Sequence, residues 1–304
     1  MDRPGARTDA GLRGHRATTR WLEVRHARAI VNEEVANPRR SCTLSRILTI
    51  QHIADTPLAE VRYLNAARRG GTEVARLPIV EAFVDTLPDE LDAIVVTSDL
   101  QGIAPGAQLL GICVAEVLEE LAFDGALPRA QRTGVILAGD LYSVPEANKR
   151  GGYGEVAEVW RAFAERFAWV TGVAGNHDDT RGVDAIEGAH LLDGDVVELD
   201  GLRIAGVGGI IGAKQKRGRR AEDAQLALVT RVLDAGADIL VLHEGPCGGE
   251  GQPGNDLIRS TIDAAGLAFA ICGHDHWRAP LAKTEHGQIL NVDTRVVVLR
   301  RGTP

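Results

Sequence analysis

The chain has 304 residues, 44% of them hydrophobic and 25% charged, which is the composition of a globular protein with a sizeable core. Its formal net charge of −8 argues against binding to nucleic acid or to an anionic membrane over the whole surface. The four cysteines form no C-x-x-C pair, which argues against a cysteine-based zinc site or a disulfide framework and favours the cytoplasm. No apolar run approaches the roughly 20 residues of a transmembrane helix.

The first 90 residues are interpreted as an N-terminal extension, 1–90, that packs on a catalytic domain over 91–304. Within the extension we predict a flexible tail over 1–20, a helix over 18–36, a short strand over 46–51 and a mainly helical region over 58–87. Gly70 and Gly71 are expected to interrupt the last of these regions.

After residue 90, short apolar runs alternate with segments of helical periodicity. Strands are predicted over 93–97, 134–138, 169–174, 239–242, 267–272, 289–292 and 295–299, and helices over 109–121, 154–168, 221–235 and 256–265. Two further runs, 196–199 and 202–207, flank Asp200-Gly201, which is typical of a hairpin turn. This alternation favours β-α-β units and a buried, mostly parallel sheet, and hence the α/β class.

Polar residues stand at the points where the predicted strands end. They are Asp99, Asp140, Asn176, His243, His274 and His276. The carboxyl ends of strands in open α/β sheets form ligand sites, and a mixture of carboxylate, amide and imidazole groups suits divalent ions such as manganese, iron or zinc. Each residue alone has an ordinary alternative, because an Asp after a strand often caps a helix or forms a turn.

Five ordered blocks carry a resemblance to a known family. The blocks are Asp99-Leu-Gln-Gly, Gly139-Asp140, Gly175-Asn-His-Asp178, His243 and Gly273-His-Asp-His276. Between about residues 93 and 299 the chain resembles the calcineurin-like metallophosphoesterases. The resemblance implies two mixed β-sheets packed as a sandwich flanked by helices, with a dinuclear metal centre.

The resemblance also implies a role for each residue. Asp140 would bridge two metals, with Asp99, Gln101 and His276 completing one site and Asn176, His243 and His274 completing the other. A hydroxide bridging the two metals would attack phosphorus in line. His177 would face the substrate and stabilise charge or protonate the leaving oxygen. Asp178 would orient His177 or lie on the surface.

The first block departs from the family pattern. The family usually has Asp-x-His, and here the third residue is Gln101. An amide oxygen in place of an imidazole favours harder ions, so we expect two divalent ions with Mn²⁺ first and Mg²⁺, iron or zinc as alternatives. A similar Asp-x-Gln occurs in manganese-dependent ADP-ribose/CDP-alcohol diphosphatases. In the alternative, Gln101 points away and water takes its place.

Two other segments bear on these expectations. Asp55 lies in a segment that weakly resembles the first block, but Pro57 stands where that block usually has a histidine. The interval from Asp99 to Asp140 also fits one β-α-β step. We therefore expect Asp55 to be a loop residue. The second block lacks a following Asp-Arg-Gly, so the resemblance does not extend to the protein serine/threonine phosphatases.

A basic segment, Lys214-Gln-Lys-Arg-Gly-Arg-Arg220, is either a solvated loop or a second contact for phosphate or nucleic acid. The expected partner is a small phosphorylated substrate, a phosphodiester or nucleotide diphosphate ahead of a phosphomonoester, with no membrane partner. Two other functions remain open. One is a metal-binding scaffold that kept the fold without the chemistry, and the other is a nuclease that uses the basic segment.

Overall fold

The fold is known from a computed structural model, which describes residues 48–149 and 151–302. The predicted tail over 1–20 and the predicted helix over 18–36 lie outside these residues, and so does the start of the predicted strand over 46–51. None of the helices in the described residues is long and apolar enough to cross a membrane.

The described residues form twenty strands. In chain order they are β1 (Ile50–Ile53), β2 (Ala59–Ala66), β3 (Thr72–Val84), β4 (Ala93–Ser98), β5 (Ile103–Ala104), β6 (Gln108–Leu109), β7 (Thr133–Leu137), β8 (Gly154–Glu155), β9 (Trp169–Gly172), β10 (Asp178–Asp179), β11 (Ala189–Leu191), β12 (Asp195–Leu199), β13 (Leu202–Val207), β14 (Ile210–Ile211), β15 (Arg219–Arg220), β16 (Ile239–Glu244), β17 (Phe269–Gly273), β18 (Leu281–Lys283), β19 (Gln288–Asn291) and β20 (Arg295–Arg301).

Four α-helices accompany the strands. They are α1 (Leu110–Phe123), α2 (Ala157–Ala164), α3 (Glu222–Asp234) and α4 (Asp256–Ala265). The bounds of α4 have a local cause, because the side chain of Asn255 accepts hydrogen bonds from the first free backbone amides and Gly266 ends the helix in a left-handed conformation. The helix predicted over 154–168 is shorter than expected, since Gly154 and Glu155 form β8 instead.

Two mixed sheets form the centre of the fold. The larger sheet has the order β11-β9-β7-β4-β20-β3-β2-β5-β6, with β1 paired to β3, and the smaller has the order β12-β13-β16-β17-β19-β18. Within them β4, β7 and β9 are parallel, as are β13, β16, β17 and β19. Two short parallel pairs, β8 with β10 and β14 with β15, lie outside the main sheets.

Three buried clusters place the sheets and helices in four layers. Because side chains alternate along a strand, Ile94 of β4 packs in the cluster between the sheets with Val241, while Val95 packs in the cluster that contains Trp160 of α2. A third cluster joins the outer face of the smaller sheet to α3 and α4. Full burial of each such aliphatic side chain stabilises the fold by about 1.5–3 kcal/mol. The expected sandwich of two mixed sheets flanked by helices is confirmed.

The helical prediction over 58–87 is wrong, because β2 and β3 form a long antiparallel hairpin there. In β2 the burial alternates, with Val61 and Tyr63 buried and Arg62 and Leu64 exposed, which is the period of a strand with one buried face. Residues 50–84 belong to the larger sheet, since β3 pairs in parallel with β20 near the end of the chain. A domain boundary at residue 90 stays a prediction.

The tight turns follow the sequence expectations more closely. Gly70 and Gly71 both have positive φ and join β2 to β3. Asp200 and Gly201, with φ of 48° and 79°, join β12 to β13 as the expected hairpin, and two successive positive φ values are the mark of a type I′ turn.

Candidate metal centre

Ends of strands from both sheets meet at the candidate site. Asp99 and Asp140 follow the parallel strands β4 and β7 of the larger sheet, whereas His243 lies in β16 and His274 follows β17 of the smaller sheet. Ligand atoms of Asp140, His243 and His274 all lie within 4.8 Å of one another. The packing of the two sheets therefore gathers residues that are far apart in the sequence.

The backbone is unusual at the strand ends that form the candidate site. Asp99, Asp140 and His274 all have left-handed backbones, with φ of 55°, 54° and 68°. For residues with a Cβ this conformation costs about 1–2 kcal/mol each. Such strain persists where the surrounding structure requires it and is frequent at functional sites.

Glycines next to these residues allow the close approach of the strand ends. A Cβ on Gly175 would lie 2.0 Å from Oδ1 of Asp140, and one on Gly273 would lie 2.0 Å from Oγ of Ser98. Neither position has room for a side chain, which gives a physical reason for the glycines that begin the Gly-Asn-His-Asp and Gly-His-Asp-His blocks.

Asp140 is buried at the centre of the site. Its Oδ1 accepts a hydrogen bond from the backbone amide of His177 at 2.9 Å, and its Oδ2 accepts one from Nε2 of Gln101 at 3.0 Å. Nε2 of His243 lies 3.4 Å from Oδ1. The side chain of Gln101 therefore points into the site, contrary to the alternative that it points away.

His243 has one nitrogen committed to the backbone. Its Nδ1 lies 2.8 Å from the carbonyl oxygen of Ala138 and donates a hydrogen bond to it, which leaves Nε2 directed at Asp140. Burial lowers the pKa of His243, but the carboxylates of Asp140 and Asp99 and the hydrogen bond to Ala138 together outweigh burial and raise that pKa to about 10 when no cation is present. Nε2 has no hydrogen-bond partner among the described residues.

Asn176 presents a second buried acceptor. Its residue is 6% exposed, and within the described part of the chain its Oδ1 has no hydrogen-bond partner. A buried acceptor without a partner costs about 1–3 kcal/mol. Amide oxygen, imidazole nitrogen and carboxylate oxygen are all ligands for divalent transition ions, so Asn176, His243 and Asp140 fit a cation.

The other predicted ligands line one cavity beside this group. Asp99, Gln101, His274 and His276 are all among its walls. Oδ2 of Asp99 accepts hydrogen bonds from Oγ of Ser98 at 2.6 Å and from the backbone amide of His274 at 2.9 Å. Burial, reinforced by neighbouring carboxylates, raises the pKa of Asp99 well above its usual value. A cation at this position would relieve that repulsion.

His177 is held by the backbone and remains partly accessible. Its Nδ1 lies 2.5 Å from the carbonyl oxygen of Gly152, and its Nε2 lies 3.9 Å from Oδ2 of Asp140. With Nδ1–H donated to Gly152, the lone pair of Nε2 faces the site. The catalytic role of His177 stays a prediction.

Asp178 is buried beside His177, and its role in orienting that histidine stays a prediction. It is 5% exposed, so it does not lie on the surface. Its carboxylate accepts hydrogen bonds from the backbone amides of Leu141 at 2.7 Å, Tyr142 at 3.2 Å and Gly175 at 2.9 Å. These bonds tie the Gly-Asp block to the Gly-Asn-His-Asp block. Burial and the charge of Asp140 raise the pKa of Asp178 to about 6.

The structure adds a residue that the sequence analysis missed. Oδ2 of Asp293 lies 2.6 Å from Nδ1 of His276, and Asp293 is 6% exposed. A carboxylate bound to one imidazole nitrogen fixes the ring and directs the other nitrogen outward. The sequence signal that could have identified Asp293 is its position after a strand, β19, which it shares with the other polar residues of the site.

The basic segment is partly occupied by contacts within the fold. Arg220 donates to the carbonyl oxygen of Gly208 and forms an ion pair with Asp193, and Arg217 stacks over the ring of Tyr153 at 4.6 Å. Gly218 lies against Asn176, since a Cβ on it would be 2.4 Å from Cα of Asn176. The basic segment therefore packs against the candidate site and forms part of its wall. Asp55 is exposed and lies in the turn after β1, as expected of a loop residue.

No protein family model matches the chain, and no curated protein matches its sequence. The chain is similar to the solved structure of TT1561 of Thermus thermophilus, with 16% identity and a TM-score of 0.46 over 67% of this chain and 90% of that one. It is also similar to the phosphopantetheinyl hydrolase PptH from Mycobacterium tuberculosis, with 15% identity and a TM-score of 0.39 over 66% and 88% of the two chains. Similarities this distant carry no argument about function.

Proposed function

We propose that the chain is a metal-dependent hydrolase of phosphoric esters, of the calcineurin-like metallophosphoesterase superfamily. One observation carries the proposal. Oδ1 of Asn176 and Nε2 of His243 are both buried without a hydrogen-bond partner among the described residues, and Nε2 lies 3.4 Å from the buried carboxylate of Asp140. A divalent cation would satisfy both acceptors and balance the carboxylate.

Protonation of His243 is the simplest alternative to a cation. An imidazolium would form an ion pair with Asp140, whose Oδ1 lies 3.4 Å from Nε2. It would leave Oδ1 of Asn176 without a partner, however, because the proton serves only one acceptor. A cation accounts for both atoms, and for this reason we favour metal binding.

We propose two ions, the first held by Asn176, His243 and His274 and the second by Asp99, Gln101 and His276, with Asp140 shared between the two sets. The donor set mixes carboxylates, two amides and three imidazoles, and the amide of Gln101 favours Mn²⁺ over softer ions. Asp293, which lies 2.6 Å from His276, would hold that imidazole in its ligating orientation.

Two divalent ions supply positive charge for the phosphoryl oxygens and lower the pKa of water. The chain provides the remaining groups. His177, anchored at Nδ1 by Gly152, would direct Nε2 at the substrate and stabilise developing charge or protonate the leaving oxygen. Asp178 would keep the block that carries His177 in register with Asp140 through its three amide contacts. We expect a small phosphorylated compound as the substrate.

The test is hydrolysis of bis-p-nitrophenyl phosphate and p-nitrophenyl phosphate with Mn²⁺, Mg²⁺, Zn²⁺ or EDTA. We expect turnover that depends on Mn²⁺, and a loss of about 100-fold or more for Asp140→Ala and His177→Ala. His286→Ala is the matched control, since this exposed histidine lies outside the site. Undiminished activity of Asp140→Ala would overturn the assignment, and stoichiometric metal without turnover of either ester would favour a metal-binding scaffold.

A further inference from the structure

The N-terminal hairpin forms one wall of a large cavity beside the candidate metal centre. The cavity has a volume of about 910 Å³, which is in the range of sites for whole organic ligands and is far larger than a phosphate ion requires. Residues of the candidate metal centre line the cavity on one side. The hairpin residues that line it are Tyr63, Asn65, Arg68 and Arg76. The hairpin therefore supplies a part of the cavity wall that does not belong to the candidate metal ligands.

Four arginines line this cavity, and two of them are already engaged. Arg76 forms an ion pair with Glu60 at 2.7 Å. Arg295 donates to the carbonyl oxygens of Trp277 at 2.6 Å and Asp293 at 3.2 Å. These two guanidinium groups already have partners within the fold, so we assign them no further ligand.

Arg68 and Arg278 are different. Both are exposed and line the cavity, and neither forms an ion pair with any residue in 48–149 or 151–302. Arg68 lies just after β2 in the hairpin, and Arg278 is two residues beyond His276. Guanidinium groups bind phosphate through paired, charge-assisted hydrogen bonds.

Three acidic residues line the same cavity. Asp99 belongs to the candidate metal centre, and Asp293 is bound to His276. Asp55 is the remaining acid that lines the cavity, and it is exposed. Among the described residues that line the cavity, two guanidinium groups without an ion pair thus accompany one carboxylate that is assigned neither to a metal nor to a histidine. Ile53, Pro78 and Val80 supply apolar walls between the polar groups, which suits an organic linker.

We infer that Arg68 and Arg278 form a subsite for a second phosphate group, so that the substrate is an organic phosphoester bearing a further phosphate away from the bond that is cleaved. The inference rests on the proposed function for the position of the cleaved bond. It names the substrate class, and it assigns specificity to residues outside the metal-ligand blocks.

Two chromogenic substrates test it with the metal-loaded full chain. Thymidine 5′-(p-nitrophenyl phosphate) and its 3′-phosphorylated form have the same scissile bond and differ by one phosphate. We expect a kcat/KM at least about tenfold higher for the 3′-phosphorylated form, which is the contribution of one charge-assisted hydrogen bond. Arg68→Gln/Arg278→Gln should lose this preference through KM and retain its rate on the other ester. Arg69→Gln, an exposed neighbour that does not line the cavity, should keep the preference.

A binding measurement separates this inference from the proposed function. Calorimetric titration of the Mn²⁺-loaded chain with thymidine 3′,5′-bisphosphate, which carries its two phosphates on opposite sides of the sugar, needs no turnover. We expect the double variant to bind at least about tenfold more weakly than wild type and Arg69→Gln. Arginine-dependent binding without hydrolysis of either ester would overturn the proposed reaction alone. Hydrolysis of both esters at equal kcat/KM, or equal binding by all three proteins, would overturn the subsite.

Discussion

The side-chain amide of Gln101 lies 3.0 Å from Oδ2 of Asp140, the carboxylate at the centre of the candidate metal site. In this arrangement the amide nitrogen donates the hydrogen bond. A half-turn of the amide exchanges its nitrogen and oxygen, so Gln101 can present an acceptor from the same position when a cation is bound. A neutral oxygen ligand here would set the preference of the site among metals.

Replacement of Gln101 by His tests that preference. We expect Gln101→His to raise the ratio of Zn²⁺ to Mn²⁺ in protein dialysed against both ions, because imidazole is a softer ligand than an amide. Gln101→Asn is the control that keeps the amide and shortens the side chain. The measurement is metal content by mass spectrometry, and an unchanged ratio in Gln101→His would argue that residue 101 is no ligand.

Replacement of Asp293 tests whether its carboxylate orients His276, whose Nδ1 lies 2.6 Å from that carboxylate. We expect Asp293→Asn to reduce Mn²⁺ affinity by about 10–100-fold, the usual effect of losing the carboxylate behind a ligating histidine. Asp55→Asn removes the same charge from the same cavity without touching a histidine. Equal affinities of the two variants in a Mn²⁺ titration would show that only cavity charge matters.

Gly218 tests the support of Asn176 by the basic segment. With a φ of +63°, Gly218→Ala is strained, and its Cβ would lie 2.4 Å from Cα of Asn176. Gly201→Ala carries similar strain at φ +79° but meets nothing within 4 Å among the described residues. We expect Gly201→Ala to lower the free energy of unfolding by about 1–2 kcal/mol, and Gly218→Ala to lower it further because of the contact with the backbone of Asn176.

Only Gly218→Ala should also weaken Mn²⁺ binding, because it displaces Asn176. Urea unfolding and Mn²⁺ titration of both variants make the comparison. Equal metal affinities of Gly218→Ala and Gly201→Ala would mean that Asn176 either does not move or does not contribute to binding.

Removal of metal should destabilise the chain. Asp99, Asp140 and Asp178 are buried close to one another, and a cation that binds only the folded chain at 100 times its Kd adds about 2.7 kcal/mol. We expect EDTA to lower the Tm of wild type and to have little effect on Asp140→Asn. Identical melting curves of wild type with and without EDTA would contradict metal binding in the folded state.

Cys272 should be inert in the folded protein. Burial raises the pKa of its thiol to about 12, so about one molecule in ten thousand carries the thiolate at pH 8. We expect wild type and Cys272→Ala to release the same number of thiol equivalents with a disulfide reagent in native buffer, and to differ by one after denaturation. A missing equivalent in the native variant would place Cys272 within reach of solvent.

Local sequence signals predicted the strands whose ends carry the site, in both sheets. Runs such as 93–97 and 134–138 are apolar and rich in β-branched residues, and an aspartate follows shortly after each of them. The strands and the polar residues at their ends could therefore both be predicted. The hairpin over 59–84 was not predicted, because spacings of three and four residues among its apolar side chains also fit a helix. Pairing of β3 with β20, from the other end of the chain, makes the strand conformation the stable one.

The sequence by itself determined the α/β class, the strand ends and the residue types that stand there, because these depend on local periodicity and composition. Only the tertiary structure decided that Oδ1 of Asn176 and Nε2 of His243 are buried without a hydrogen-bond partner among the described residues, that Asp293 binds His276, and that Arg68 and Arg278 line one cavity. Those relationships join residues far apart in the chain, and the packing of two sheets, which local patterns do not encode, sets the distances between their atoms.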